Sequence, residues 1–516
     1  MELFATSLVE SFLLLGSPSL LFFVTLGVLW GALAGALPGV NGTIAIGVTV
    51  PLTFGMDPLN VVAFLISVNV GVAYGNSIPA ILVGLPGTPA AVLTAMDGFA
   101  LHKRGKSGLA LGIMFYAAVV GQFISIFFFL AMVVPLSQLT YYFLAPEMFA
   151  LYFLGVTAIV SLTSNNILKG LASVALGLVI STVGRDPLSA VNRFSFGYME
   201  LRSGINVIPI VIGLLAVSEL YRSMRQTYGW GALTEKFVAV FPKLADFKRT
   251  TPSVLVGTVI GSVIGSIPGV SGTAAAVISY QQAKMWSKTP EDFGRGSIEG
   301  IAANESAQNA SQAGELVPTF GLGIPAGGPM VILLGALLMH GFIPGPMLIR
   351  EAPELLYAAA GGLLAGTLIL AVIGWPIARI ILKLVTFDRT LVLVGALLLT
   401  LVGTFTLQRS TFDVFLVASF GVLGYFMMRY GYSTAGAAMG VVLGFGFETH
   451  LRGGLLLVNG DPVAFISRPW TAAIIAVALS LLAYGTFGTI KLARRAAAVR
   501  RDALQNHLMS KASEQS

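Results

Sequence analysis

Two Pro-Gly breaks, each set inside an apolar stretch, carry the residue types that bind an anion within a membrane. Residues 31–46 read GALAGALPGVNGTIAI and residues 261–276 read GSVIGSIPGVSGTAAA. Pro38, Gly39, Gly42 and Thr43 match Pro268, Gly269, Gly272 and Thr273 at a constant offset of 230. Proline ends a helix because it lacks an N–H and clashes with the preceding turn. Glycine lets backbone approach a ligand closely. The helix that restarts after each break presents free N–H groups and about half a positive charge of dipole, both of which attract a carboxylate. Asn41, Thr43, Ser271 and Thr273 add side-chain donors. The plain alternative is a proline kink with glycines for close helix packing, which the GxxxG spacings Gly31/Gly35 and Gly261/Gly265 also fit. Matched Thr and Gly in two copies favour the binding site. No Arg or Lys lies in the apolar segments nearest the tips, so the carboxylate is expected between them, without a dedicated arginine.

The second constellation is Asn304-Glu305-Ser306-Ala307-Gln308-Asn309, a polar run inside an apolar segment. An ionisable group within a membrane is costly and therefore a functional candidate. Glu305 would coordinate Na⁺ or carry a proton, with neutral oxygens from Asn304, Ser306 and Asn309. The opposing reading is a capped, wet residue just inside a cytoplasmic loop. Glu315, whose repeat partner is the neutral Asn76, is balanced between site and scaffold. Thr88 and Gly327-Gly328 follow the second interruption of each half and are expected to meet the hairpin tips. His340 and His450 read as solvated loop residues, and Arg452 and Arg468 as structural or interfacial anchors. No cofactor is expected, and no metal beyond a transported Na⁺.

The elements that must hold these residues are membrane helices. Of 516 residues 56% are hydrophobic and only 10% charged, against about a quarter charged in a soluble protein. Apolar stretches of roughly 17 to 25 residues, the length that spans a bilayer, recur throughout. The fold class is therefore an all-α polytopic membrane protein. The excess of seven positive charges sits in short loops and the tail, the positive-inside pattern, which argues against nucleic-acid binding. The absence of cysteine excludes disulfides, zinc-thiolate sites and thiol catalysis. Residues 1–20 lack a basic start and carry Glu2 and Glu10, so no cleaved signal peptide is expected. Neither a HExxH helix nor a paired-carboxylate arrangement occurs in the apolar segments, so an enzyme is disfavoured. A passive channel or a scaffold subunit remains the alternative to a transporter.

The echo between halves extends beyond the tips. Pro79 and Pro86 match Pro318 and Pro325 at an offset of 239, and Met96, Gly98 and Phe99 match Met339, Gly341 and Phe342 at 243. This divides the chain into an N-terminal segment (1–18), a first transmembrane repeat (19–221) and a basic cytoplasmic loop (222–251). A second repeat with additional C-terminal spans (252–490) and a basic cytoplasmic tail (491–516) follow. Segment 58–96 reads as interrupted near Pro79 and Pro86, and 299–340 near Pro318 and Pro325; the segment 433–447 is short enough to be a partial or re-entrant element. The loop after the first hairpin, 55–58, has no basic residue, whereas its counterpart holds Lys284, Lys288 and Arg295. Lys103, Arg104 and Lys106 face a counterpart, 340–353, with Arg350 beside Glu351. Equivalent loops thus fall on opposite sides, the signature of two inverted-topology repeats, each with a Pro-Gly-tipped re-entrant hairpin and broken helices.

The chain resembles the large membrane subunit of the tripartite tricarboxylate transporter family, TctA. The motifs that carry the resemblance are GALPGVNGTIAIGVTVPLTFGMDP (35–58), YGNSIPAILVGLPGTPAAVLTAMDGF (74–99), IGSIPGVSGTAAAVISY (264–280), FGRGSIEGIAANESAQNA (293–310), VPTFGLGIPAGGPMVILLGAL (317–337) and LGFGFETHLRGGL (443–455). The likeness covers the chain from about residue 20 to 490, with one departure, Asn76 in place of a second glycine after Gly75. The resemblance implies a bacterial inner-membrane secondary transporter importing tricarboxylates, dicarboxylates or related acids. It also implies a small membrane subunit and a periplasmic solute-binding protein as partners, and energy from a Na⁺ or H⁺ gradient. The absence of a GxxxxGK[ST] P-loop agrees with a transporter that does not use ATP.

Overall fold

The structure is a computed structural model. It describes residues 2–486 apart from 38, 140–141, 164–165, 187, 203, 226–240, 271, 344, 346–347, 385–388 and 484. Pro38, Ser271, half of the basic loop (226–240) and the basic tail therefore lie outside the described residues. The first half comprises α1 (Glu2–Leu13), α2 (Pro18–Gly35), α3 (Gly42–Thr49), α4 (Pro58–Gly75), α5 (Ser77–Val83) and α6 (Ala91–Lys103). It continues with α7 (Ser107–Leu139), α8 (Ala145–Thr163), α9 (Ile167–Ser181), the two-residue strands β1 (Gly184–Arg185) and β2 (Asn192–Arg193), α10 (Val207–Val211), a π-helical stretch (Ile212–Val217) and α11 (Ser218–Arg225). The second half has α12 (Leu244–Gly265), α13 (Gly272–Trp286), α14 (Ile298–Leu322), α15 (Gly328–Met339), α16 (Leu348–Glu351) and α17 (Pro353–Leu384). Then come α18 (Arg389–Gln408), α19 (Thr411–Arg429), α20 (Thr434–Leu457) and α21 (Pro462–Ile466). Six helical segments among the described residues are long and apolar enough to cross a membrane. This is a multi-pass helical membrane protein.

Matched sequence becomes matched packing. Apolar helices gain little from burial in lipid, so they associate through small residues that let backbones approach. A Cβ added at Gly31 would lie 2.0 Å from the carbonyl oxygen of Val68, and one at Gly261 would lie 2.3 Å from that of Ala307. One turn further on, an added Cβ would lie 2.5 Å from the Val72 carbonyl oxygen at Gly35 and 2.4 Å from that of Ser311 at Gly265. Both hairpin arms, α2 and α12, thus run parallel to the long helices α4 and α14. Those long helices run in opposite directions. Gln308 donates to the Ala73 carbonyl at 3.5 Å while Glu305, earlier in α14, meets Ser77, later in the first half.

The interruptions expected near the paired prolines are present, and one segment is longer than expected. α4 ends at Gly75, just before Pro79 of α5, while Pro318 lies inside an unbroken α14. Between the two prolines of each half the helix ends at Gly84 (φ 68°) and Gly323 (φ 70°), left-handed C-caps whose N–H groups return to the carbonyls of Pro79 and Pro318. Glycine adopts that conformation without steric penalty. The segment expected at 433–447 extends through Leu457 as the 24-residue α20. Its polar end is compensated from elsewhere: Arg452 pairs with Asp186 at 2.6 Å and with Glu448 at 3.0 Å, and Arg193 pairs with Glu448 at 2.7 Å.

Candidate functional site

Both tips use glycine in the left-handed region, Gly39 at φ 84° and Gly269 at φ 81°. Gly269 is held inside protein. Its N–H donates to the Ala326 carbonyl at 3.0 Å, and an added Cβ would lie 2.9 Å from the Ala158 carbonyl oxygen. Packing therefore demands this glycine, whatever binds nearby. The Gly39 carbonyl accepts from the Ser223 hydroxyl at 3.0 Å.

After the first tip α3 restarts, capped by the Asn41 side-chain oxygen, which accepts from the Ile44 N–H at 3.0 Å. Asn41, expected as a donor to a ligand, thus spends its oxygen on the cap. Gly42 is close to the Asn69 side chain: a Cβ there would lie 2.3 Å from Asn69 Oδ1. Thr43 is half-buried and faces the other half, its hydroxyl 2.5 Å from where a Gly328 Cβ would stand. The structure brings Thr43 and the Gly327-Gly328 turn together, as the sequence suggested.

At the second tip α13 restarts beside α14. Ser311 Oγ is 2.5 Å from where a Gly272 Cβ would stand, and the Glu315 carboxylate accepts the N–H of Gly272. An acidic side chain of the protein itself thus occupies the anion-attracting helix start. Its repeat counterpart, Asn76, leaves the first tip without a carboxylate. Thr273 is half-buried. Thr88 keeps a buried hydroxyl with no partner among the described residues.

The richest polar surface lies on α14. Asn304, Glu305 and Asn309 are fully buried, so Glu305 is not the wet loop residue of the opposing reading. Its Oε1 accepts from Ser77 Oγ at 2.7 Å and from Thr94 Oγ1. The Asn304 amide donates to the Ala90 carbonyl at 3.1 Å and to Thr94 Oγ1 at 2.7 Å, and the Asn309 amide donates to the Glu305 carbonyl at 2.9 Å. These donors leave the oxygens free. Asn304 Oδ1, Glu305 Oε2, Gln308 Oε1, Asn309 Oδ1 and Gln312 Oε1 are all buried without a partner among the described residues. Spacings of four place 304, 308 and 312 in one row and 305 and 309 in the next, on one helix face. Unpaired buried acceptors are rare and call for an explanation. A face of oxygens with one carboxylate suits a cation. Ser306 does not join it: its hydroxyl donates to the Ala303 carbonyl at 3.3 Å, on the side packed against α12.

Sequence reasoning missed Ser77 and Thr94 as partners of this face and Gln312 as a member of it, named Gln308 in the polar run without a role, and missed Asp97. Asp97 is fully buried on α6 and takes donors only from the second half. A cavity of about 700 Å³ lies between residues 204–210, the end of α15 and α20, with Arg185, Asn206, Thr449 and His450 among its lining. The two histidines depart from the loop expectation. His450 lies within α20 with Nδ1 at 2.7 Å from the Gly446 carbonyl, and His340 caps α15 with its Nε2 buried. The anchoring role expected of Arg452 and Arg468 is matched by their ion pairs, Arg468 with Glu147 at 2.5 Å. No group of three or more His, Cys, Asp or Glu that would hold a metal occurs among the described residues.

Comparison with known proteins gives a consistent result. The model of the Tripartite tricarboxylate transporter TctA family matches residues 21–439. An uncharacterized 52.8 kDa protein in the TAR-I ttuC' 3' region of Agrobacterium vitis is 32% identical over 468 residues, 91% of this chain and 93% of that protein. An uncharacterized protein in the TAR-II ttuC' 3' region of the same organism is 32% identical over 213 residues, 41% of this chain and 88% of that protein. No solved structure matches.

Proposed function

This chain belongs to the tripartite tricarboxylate transporter TctA family, and we propose that it is the transmembrane permease subunit of a binding-protein-dependent carboxylate importer. In this reading it works in the bacterial inner membrane with a small membrane subunit and a periplasmic solute-binding protein. It moves a tricarboxylate, dicarboxylate or related acid by symport with Na⁺ or H⁺, and it catalyses no covalent chemistry. The observation that carries the reading is the buried oxygen face of α14 beside two glycine-tipped helix starts. The first supplies acceptors for a cation, the second supplies N–H donors for an anion. The oxygen face on α14 touches α5 and α6 of the first half at Glu305, Ser77 and Thr94.

The substrate carboxylate binds at the first tip, on the start of α3 with Thr43 and Gly327 beside it. The second tip, with Gly272 and Thr273, becomes available when Glu315 leaves the Gly272 N–H. A cation on the Glu305 face offsets the charge of both carboxylates, and this links the two occupancies. Opposed directions of α4 and α14 support inverted repeats, with the tail on the cytoplasmic side. Counterflow in reconstituted vesicles tests the assignment. A carrier exchanges external labelled carboxylate for internal unlabelled carboxylate and transiently concentrates the label. Simple equilibration of label would instead indicate a channel. Acids retained by the cognate binding protein would name the substrate.

A further inference from the structure

Asp97 and His340 occupy the same place in the two halves, between the matched pairs Met96/Met339 and Gly98/Gly341. Their surroundings differ. Asp97 Oδ1 accepts the N–H groups of Gly294 at 2.8 Å, Gly296 at 2.8 Å and Ser297 at 2.9 Å. Asp97 Oδ2 accepts the Tyr280 hydroxyl at 2.8 Å. All four donors belong to the second half. Three come from the loop that enters α14, ending at its N-cap Ser297, where the helix dipole favours a carboxylate. One turn back along α6, Thr94 bonds both Glu305 and Asn304.

The counterpart end is unfastened. His340 stands toward the loop that enters α4, whose N-cap is Asp57, and Asp57 is the charge acting on it. Its buried Nε2 has no partner among the described residues. The cavity of about 700 Å³ lies at this same end, lined by Leu338, Met339, Ile343 and Phe54.

We propose that Asp97 is a positioning residue, a releasable clasp that fastens α6 across the repeat boundary and so holds Thr94 on the Glu305 face. The clasp opens once per transport cycle, and the His340 end then closes on the loop before α4. This rests on the transporter reading above. The clasp is suited to release because its donors are neutral: no basic side chain is left unpaired when Asp97 withdraws. Water at the loop end can replace those hydrogen bonds, which limits the penalty of opening.

The chain has no cysteine, so a cross-link across the clasp is clean. Met96 is 50% exposed and Arg295 is also exposed, and neither side chain bonds Asp97. The double variant Met96→Cys/Arg295→Cys should transport like the parent protein until a short bifunctional thiol reagent joins the pair, and uptake should then fall at least tenfold. Uptake within twofold of the unreacted protein after complete cross-linking would show that the clasp never opens. A second measurement separates positioning from scaffolding. Asp97→Asn should raise the half-saturating concentration of the coupling ion several-fold while that of the carboxylate stays within twofold. A shift of neither, or of both equally, would overturn the role of Asp97 in holding the ion face. Absence of any uptake by the unmodified protein with its partners would defeat the transporter reading, and the clasp with it. Normal uptake that survives cross-linking would defeat the clasp alone.

Discussion

Replacing Glu305 by glutamine isolates the charge of the α14 face from its shape. The glutamine oxygen still accepts from Ser77 and Thr94, and the new amide takes the place of Oε2, which has no partner among the described residues. The variant should therefore fold. What it loses is the one carboxylate of the buried oxygen face, the anionic ligand of the proposed cation site. A hydrogen bond or contact to a charged group contributes about 1.5–3 kcal/mol, which corresponds to a roughly 10- to 150-fold rise in the half-saturating ion concentration. Vesicles with a tenfold inward cation gradient give the assay, because one ion coupled to that gradient, about 1.4 kcal/mol, sustains about tenfold accumulation. The parent protein should reach that level. Glu305→Gln should stop near equal concentrations inside and outside, while counterflow of the carboxylate persists. Accumulation by the variant with unchanged ion dependence would remove Glu305 from coupling. Glu315→Gln, whose carboxylate meets one backbone N–H, should lose less.

Three further outcomes are expected. A cysteine at Gly55 should label from outside and one at Lys284 from the cytoplasm; labelling of both from one side would refute the inverted repeats. Thr43→Ala and Thr273→Ala should each weaken apparent carboxylate affinity by roughly 10- to 100-fold, the loss of one hydrogen bond to a charge, and unchanged affinity would place the substrate elsewhere. Asp186, in the loop before β2, accepts the N–H groups of Leu188 and Ser189 and pairs with Arg452. Those contacts, led by the Ser189 N–H, hold its carboxyl well below the usual range. The stability it contributes is present above the unfolded pKa, about 3.9, and is lost as pH falls through the lower folded value. Protease resistance of this loop should therefore be the same at pH 8 and pH 5, and Asp186→Asn should reduce it at both.

The tips and the long apolar helices were legible because local chemistry specifies them: proline and glycine in the chain order PG-V-x-G-T, and polar residues at spacings of four on α14. The partners of that polar face were not. Ser77 and Thr94 lie 228 and 211 residues from Glu305, and each is a lone hydroxyl in an apolar run. Asp97 drew no reading from the sequence, because its four donors sit in the other half. The interruptions near the paired prolines were legible, but the residue that ends each helix was not. A proline inside a helix can be accommodated when neighbouring helices satisfy the freed backbone, and here the helix ends at the glycine five residues after Pro79 and Pro318. The end of α20 was missed because Glu448 and Arg452 interrupt the apolar run, and their counter-charges, Arg193 and Asp186, come from a distant part of the chain.

The central claim is that carboxylate and cation move together through one site between the two halves. Simultaneous measurement of both fluxes in vesicles that hold the protein and its membrane partner, supplied with loaded binding protein, tests it most directly. Labelled carboxylate should enter with a fixed ratio of Na⁺ or H⁺, and Glu305→Gln should remove the cation flux. Carboxylate entry at an undiminished rate with no accompanying cation would contradict the account.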